Sequence, residues 1–201
     1  MRSRSSEPRS LLPLGIVLGL VALFATGIGL GQAFDIPFPS LPNFSRGDGP
    51  LDRANPTRLT IPSLDVRARV IEVGKANDGS IATPDDDPVR QAGWYNQGPS
   101  PGEAGTAVIV GHVDTQSEPA VFAKLAQLTA GATIEVRRSD WRTVTFTVDS
   151  LEMYPKTKFP ADKVFEEADR PRLALVTCGG DWIGGDIGYA DNLIVMATLA
   201  S

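Results

Sequence analysis

The 201-residue sequence holds one cysteine, Cys178, and one histidine, His112. A lone cysteine closes no disulfide within its own chain, so a disulfide scaffold is excluded and the fold must be held by its core. One Cys and one His supply two of the four ligands a structural zinc site takes, and Asp114, Asp181 or Asp191 would have to complete an atypical set. The expectation is a chain with neither metal nor cofactor. Basic charge is scarce: 19 Lys and Arg face 24 Asp and Glu, a net of -5. Arg2, Arg4 and Arg9 against Glu7 give the N-terminal segment +2, so the remainder carries -7. Counterion release on a phosphate backbone needs clustered Lys and Arg, and the densest cluster here is Arg137, Arg138 and Arg142, so no nucleic-acid partner is expected.

Charge is absent altogether from residues 11–34, a run of 24 dominated by Leu, Ile, Val, Ala, Phe and Gly. A helix of about 20 apolar residues crosses the hydrocarbon core, and an Arg-rich flank stays on the cytoplasmic side. A cleaved signal peptide is the rival reading. The run exceeds the usual apolar core of such a peptide, and no clear small-x-small cleavage site ends it, which favours an uncleaved anchor. A lipoprotein is excluded because the only cysteine lies near the other end. Both readings place the rest of the chain outside the cytoplasm. The expected organisation is a short cytoplasmic tail (residues 1–10), a single-pass transmembrane anchor in the cell membrane (11–34) and a Pro/Gly-rich linker (35–56). One extracytoplasmic domain (57–201) follows. Prolines 37, 39, 42, 50 and 56 keep the linker out of helix and central strand. About 145 residues suffice for a good core without crosslinks.

What is present in that domain is mostly period-two alternation and short apolar runs between Gly, Pro and Asp, the pattern of strands. Residues 59–61, 66–73, 106–110, 133–137, 143–148, 173–177 and 193–196 fit. Turns are expected at residues 77–79, 139–140, 179–180 and 184–185. A helix is expected over residues 119–128, where Pro119 suits a first turn and Val121, Leu125 and Leu128 recur at helical spacing. A second short turn is placed at 161–165. Seven or eight short strands with one or two small helices predict an all-β closed barrel or sandwich.

His112 directly follows the apolar run TAVIVG, and Cys178 follows RLALVT. Each stands where a strand ends and a loop begins. A thiolate attacks an acyl carbon readily, and an imidazole can take the thiol proton and return it to a leaving amine. Gly179 and Gly180 leave the backbone beside the sulfur open, so its N–H groups could approach an oxyanion. An inert buried cysteine and a histidine serving only as a strand-end hydrogen-bonding group remain the competing readings. Asp114 could orient His112 or simply form a turn. Trp94, Tyr95, Trp182 and Tyr189 could line an apolar groove or pack in the core. The acids 85–87 read as a solvated loop.

The segments TAVIVGHVDT (106–115), LVTCGG (175–180) and YADNLIVMA (189–197), with Phe122 and Leu125 and with GWYNQGPSPGEAG before the histidine strand, resemble a sortase of the class F type. The resemblance runs from about Arg58 to Ala197. It implies a closed eight-stranded β-barrel and a catalytic domain that is a cysteine transpeptidase. Such an enzyme cleaves an LPxTG-like sorting signal on secreted proteins and passes them to a cell-wall amine such as a peptidoglycan precursor. Cys178 would be the nucleophile and His112 the acid and base, while Thr177 corresponds to a position that helps place substrate. The class F pattern sets an arginine immediately before the Asp-Asn of the last strand; here that residue is Ala190. Losing an oxyanion donor costs about 10²- to 10³-fold in rate. The candidates to replace it are Arg90, backbone amides around Gly179, and Arg67, Arg69, Arg137, Arg138 or Arg142, most of which occupy strand positions expected to face solvent. A sortase-fold binding protein that has lost turnover is the alternative.

Overall fold

The computed structural model describes residues 49–185 and 188–200. Contacts divide the chain into two units, 1–43 and 44–201, and the described residues belong to the second. The expected tail, anchor and most of the linker lie outside the described residues; among those described, no helix is long and apolar enough to cross a membrane.

Eight strands close into a barrel among the described residues: β1 (Pro56–Ile61), β2 (Val66–Val73), β3 (Gln91–Tyr95), β4 (Gly105–Val110), β5 (Thr133–Arg138), β6 (Thr143–Pro155), β7 (Pro171–Gly184) and β8 (Gly188–Leu199). Their order around the barrel is β1-β2-β3-β4-β7-β8-β6-β5. The sheet is mixed: β2–β3 and β4–β7 are parallel, and the other pairs are antiparallel. Closure leaves no free sheet edge for another chain to pair with.

Alternation decides which side chains fill the barrel. Leu59, Ile61, Ala68, Val70, Ile134, Val136, Phe146, Leu173, Leu175, Val195 and Ala197 form the interior cluster. Each large aliphatic or aromatic side chain here gains about 1.5–3 kcal/mol by leaving water. The alternate residues of β4, β7 and β8 point outward, yet Val108, Val110, Ala174, Val176, Ile194 and Met196 are buried as well, in a second cluster with Val73, Tyr95 and Val164. The connection from β6 to β7 covers part of this outer face. It carries a short α-helix, α1 (Ala161–Val164), whose Val164 is fully buried. These strands are therefore apolar on both sides, which explains why 106–110 and 173–177 read as runs rather than alternations.

Three sequence expectations are corrected. Residues 119–128 form no α-helix but successive turns ending in a 3-10 turn at Leu125–Gln127. The Ala120, Val121 and Phe122 N–H groups donate to the carbonyls of Val113, Pro88 and His112. Tied to neighbouring loops at their start, these residues wind only through i to i+3 bonds, such as Leu125 N–H to Phe122 O at 3.0 Å. The glycines 179–180 do not end a strand: β7 continues through an irregularity between Gly179 and Trp182, where Gly180 takes φ +75°, a conformation other residues rarely adopt. Arg138 does not face solvent. It is 1% exposed, and its guanidinium donates to the carbonyls of Pro101 and Asp52 and to the carboxylate of Asp140.

Candidate active site

The parallel pair β4–β7 runs in register to Val110 opposite Val176. One residue on, the Gly111 N–H donates to the Val176 carbonyl at 3.1 Å, continuing the ladder past the end of β4. His112 and Cys178 each stand two residues beyond the Val110–Val176 pair. Neighbouring strands lie about 4.8 Å apart, so the register brings the two residues side by side at one end of the barrel. Alternation puts Cys178 on the side of Ala174 and Val176, which is the outer apolar face and not the barrel interior.

The row continues across the sheet. Cys178 is paired with Asn192 on β8, and Asn192 with Tyr154 on β6. Directly opposed residues of an antiparallel pair project to the same side. Thus Cys178, Asn192 and Tyr154 form one transverse line over an apolar floor, and His112 follows the adjoining strand β4. Tyr154 accepts a hydrogen bond from Lys163 Nζ at 3.3 Å, and Lys163 and Tyr154 both donate to Glu152. Those bonds fasten α1 beside the row. They also hold the Glu152 carboxyl down at about 2, first through Lys163 and then through Tyr154.

His112 is fixed through its backbone, since its carbonyl accepts the Phe122 N–H at 2.9 Å. Gly111 before it has no room for a side chain: a Cβ there would meet the Phe122 ring at 2.7 Å and Val121 at 2.8 Å. The His112 Nε2 is closed off from solvent and makes no hydrogen bond within the described residues. The Asp85 carboxylate stands 3.4 Å from it, outside hydrogen-bond geometry. Cys178 is free and half-buried.

The remaining sequence candidates separate. Asp114 accepts a hydrogen bond from the Tyr189 hydroxyl, so the carboxylate beside His112 is that of Asp85. Tyr189 stacks edge-on against Trp182 with ring centres 5.1 Å apart. Its pKa is raised, chiefly because the phenol donates to Asp114, then by burial and by the negative charges of Asp114 and Cys178. Thr177 projects from β7 opposite to Cys178, is 4% exposed, and its hydroxyl has no hydrogen-bond partner among the described residues. Gly179 lies against Met153, whose sulfur would be 2.9 Å from an added Cβ, and is paired with Asp191. Arg90 is 80% exposed, with Asp87 at 3.8 Å its ion-pair partner. Ala190 falls on the side of Asn192 and Ile194, the Cys178 side, where the class F pattern has its arginine. Arg138 closes the opposite end of the barrel. Trp94 is fully buried in the interior, while Tyr95 belongs to the outer cluster and meets Phe165 edge-on.

Sequence reasoning missed Asn192 and Asp85. Asn192 was legible in principle, because counting back by twos from Ile194 and Met196 places it on the Cys178 side. Asp85 was not, because nothing local says where the connection from β2 to β3 carries it.

The barrel thus carries a thiol within β7 and an imidazole just past the end of the parallel strand β4. Residues 59–200 match the family model described as a sortase domain, and the chain belongs to the sortase family. Solved structures of similar fold include sortase C from Clostridium perfringens SM101, at 15% identity and TM-score 0.53 over 72% of this chain and 68% of that one. Sortase C-1 from Actinomyces oris is similar at 18% identity and TM-score 0.56, over 72% and 73% of the two chains. A lid mutant of sortase A from Corynebacterium diphtheriae is similar at 16% identity and TM-score 0.56, over 74% and 73%. No curated protein matches.

Proposed function

We propose that this chain is a class F-like cysteine transpeptidase, held at the outer face of the cell membrane by residues 11–34. Its substrates are secreted proteins bearing an LPxTG-like C-terminal sorting signal. The observation that supports the reading is the register of β4 and β7, in which His112 and Cys178 each come two residues after the Val110–Val176 pair. The Cys178 thiolate adds to the carbonyl carbon of the scissile amide, and the carbonyl oxygen becomes an oxyanion. As it collapses, the C–N bond breaks and the departing amine takes a proton from the imidazolium of His112, leaving a thioester on Cys178. An acceptor amine, from a peptidoglycan precursor or another cell-wall amine, then attacks the thioester. Its proton passes to His112, and the thiolate departs.

Incubation of the full chain with an LPxTG-type peptide, followed by intact-mass spectrometry, tests the reading. A thioacyl adduct is expected on the native chain and not on Cys178→Ala. Absence of any adduct or cleavage at high enzyme concentration defeats it. Ala190 is the observation that favours the second reading, a binding protein for sorting-signal peptides without turnover. That reading expects peptide binding that survives Cys178→Ala with no product at any time.

A further inference from the structure

We infer that the end of the barrel that receives the N-terminal linker docks on an anionic lipid surface, through a row of arginines and the exposed indole of Trp141. The inference is independent of the acyl-transfer chemistry and takes from the proposed function only the anchor at residues 11–34.

The sheet register sets like charges directly opposite one another. Arg58 on β1 is paired with Arg69 on β2 and with Arg137 on β5. Opposed residues of antiparallel pairs project to the same side. All three arginines are exposed, while their chain neighbours Leu59, Ala68 and Val136 fill the interior. Like charges so placed destabilise a sheet unless a counter-charge covers them. None of Arg58, Arg69 and Arg137, nor Arg67 and Arg142 beside them in sequence, has an ion-pair partner among the described residues. The acids of these strands and of the turn after β5 are otherwise placed. Asp140 is taken by Arg138, Glu72 accepts from Asn55, and Glu135 stands opposite Thr60, one outward row further on.

Trp141 extends the row. It lies in the turn between β5 and β6, is 80% exposed, and takes φ +68°, a left-handed conformation rare for a side chain of its bulk. The Arg137 guanidinium stands over its ring, 5.1 Å from the centre. An indole held in water beside cations suits lipid headgroups, where the ring enters the interface and the guanidinium groups meet phosphates.

The path of the chain selects lipid over an acidic protein. Pro56 opens β1 and is paired with Arg138, so the linker reaches the barrel beside this turn. Residues 35–55 span at most about 70 Å when extended, which keeps the patch within reach of the bilayer that residues 11–34 would cross. The thiol is remote from this end: β6 leaves the turn at Thr143 and meets the row of Cys178 only at Tyr154, about 35 Å along the strand.

The test uses the three tryptophans, Trp94, Trp141 and Trp182, which all lie in the barrel domain. The full chain is reconstituted in vesicles of phosphatidylcholine with brominated acyl chains, with or without phosphatidylglycerol, and bromine quenches an indole that enters the bilayer. Quenching is expected with phosphatidylglycerol and not without it, and is expected to vanish in Trp141→Phe. Each arginine strengthens binding to an anionic surface about fivefold, so Arg58→Gln, Arg69→Gln and Arg137→Gln together are expected to lower the ratio of docked to undocked chains ~10²-fold. A urea midpoint no lower than the native one shows that this triple variant is folded. Equal quenching in neutral vesicles, or quenching that follows Trp182 instead of Trp141, overturns the inference. So does an absence of quenching in both, and a shift of Trp141 emission by polyglutamate then assigns the row to an acidic protein. A chain that stays in solution with neutral vesicles defeats the anchor alone; phosphatidylglycerol vesicles are still expected to recruit it through the same arginines.

Discussion

His112, just past the end of β4, and Cys178, within β7, occupy matching positions, each two residues past the Val110–Val176 pair. The two are expected to fail differently when replaced. Cys178→Ala abolishes every covalent adduct. His112→Ala leaves the thiol in place and open to iodoacetamide, but lowers peptide turnover by about 10²- to 10⁴-fold, the range for a positioned general acid or base. Parallel mass spectrometry of adduct formation and product release separates the two outcomes.

Gly111→Ala connects packing to chemistry. The added methyl meets Phe122 and Val121 below 3 Å, so the ring or the backbone carrying His112 must move. A stability loss of about 1–3 kcal/mol is expected from overpacking, together with a fall in peptide cleavage larger than unfolding explains. Urea denaturation beside initial rates in denaturant-free buffer checks both. Native cleavage in a destabilised variant would show that His112 does not depend on this contact.

Arg138 offers a variant that tests the barrel and leaves the chemistry alone. Arg138→Ala leaves the carbonyls of Pro101 and Asp52 and the Asp140 carboxylate without their shared donor. The expected cost is about 2–4 kcal/mol of stability, with a lower thermal midpoint and normal Cys178 alkylation below it.

The Lys163–Glu152 pair that fastens α1 sets a pH window. Glu152 falls from 4.5 to about 2 on folding, so its contribution is complete above pH 4.5 and is lost as the pH drops through that interval. Lys163 is raised above 10.5, mainly by its bond to Glu152, so its contribution is complete below that pH and is lost as the pH climbs through the folded value. The two side chains are 39% and 41% exposed, so solvent screening limits the pair to about 1 kcal/mol or less. Urea midpoints of the native chain and Glu152→Gln are expected to differ slightly at pH 7 and to converge near pH 2. A constant gap across that range would remove the ion pair from the account.

The strands that alternate, or that carry unbroken apolar runs, were legible from residue pattern. β3 was not: Gln91–Tyr95 is buried on both sides and has a glycine at its centre, which erases any period. The far halves of β6 and β7 were hidden by irregular registers after Val148 and after Gly179. Arg138 read as solvated because a charge at a strand end normally is, and only the fold brings two carbonyls and Asp140 to it. Within the site, Cys178 and His112 stood out by their uniqueness and by the apolar runs before them, although β7 continues past Cys178 to Gly184. The Asp114–Tyr189 bond joins residues 75 apart in sequence, and no local signal announces such a pairing.

The long-range character of the β4–β7 pairing also governs when chemistry becomes possible. Closing a loop of more than 60 residues is among the slower events in assembling a small β-barrel. Until it closes, the thiol has no acid beside it and no apolar bed for a peptide. A nascent or half-folded chain thus lacks the arrangement on which the proposed acyl transfer depends. In a refolding experiment, cleavage activity returns with the final tertiary signal and not with the first appearance of strand structure.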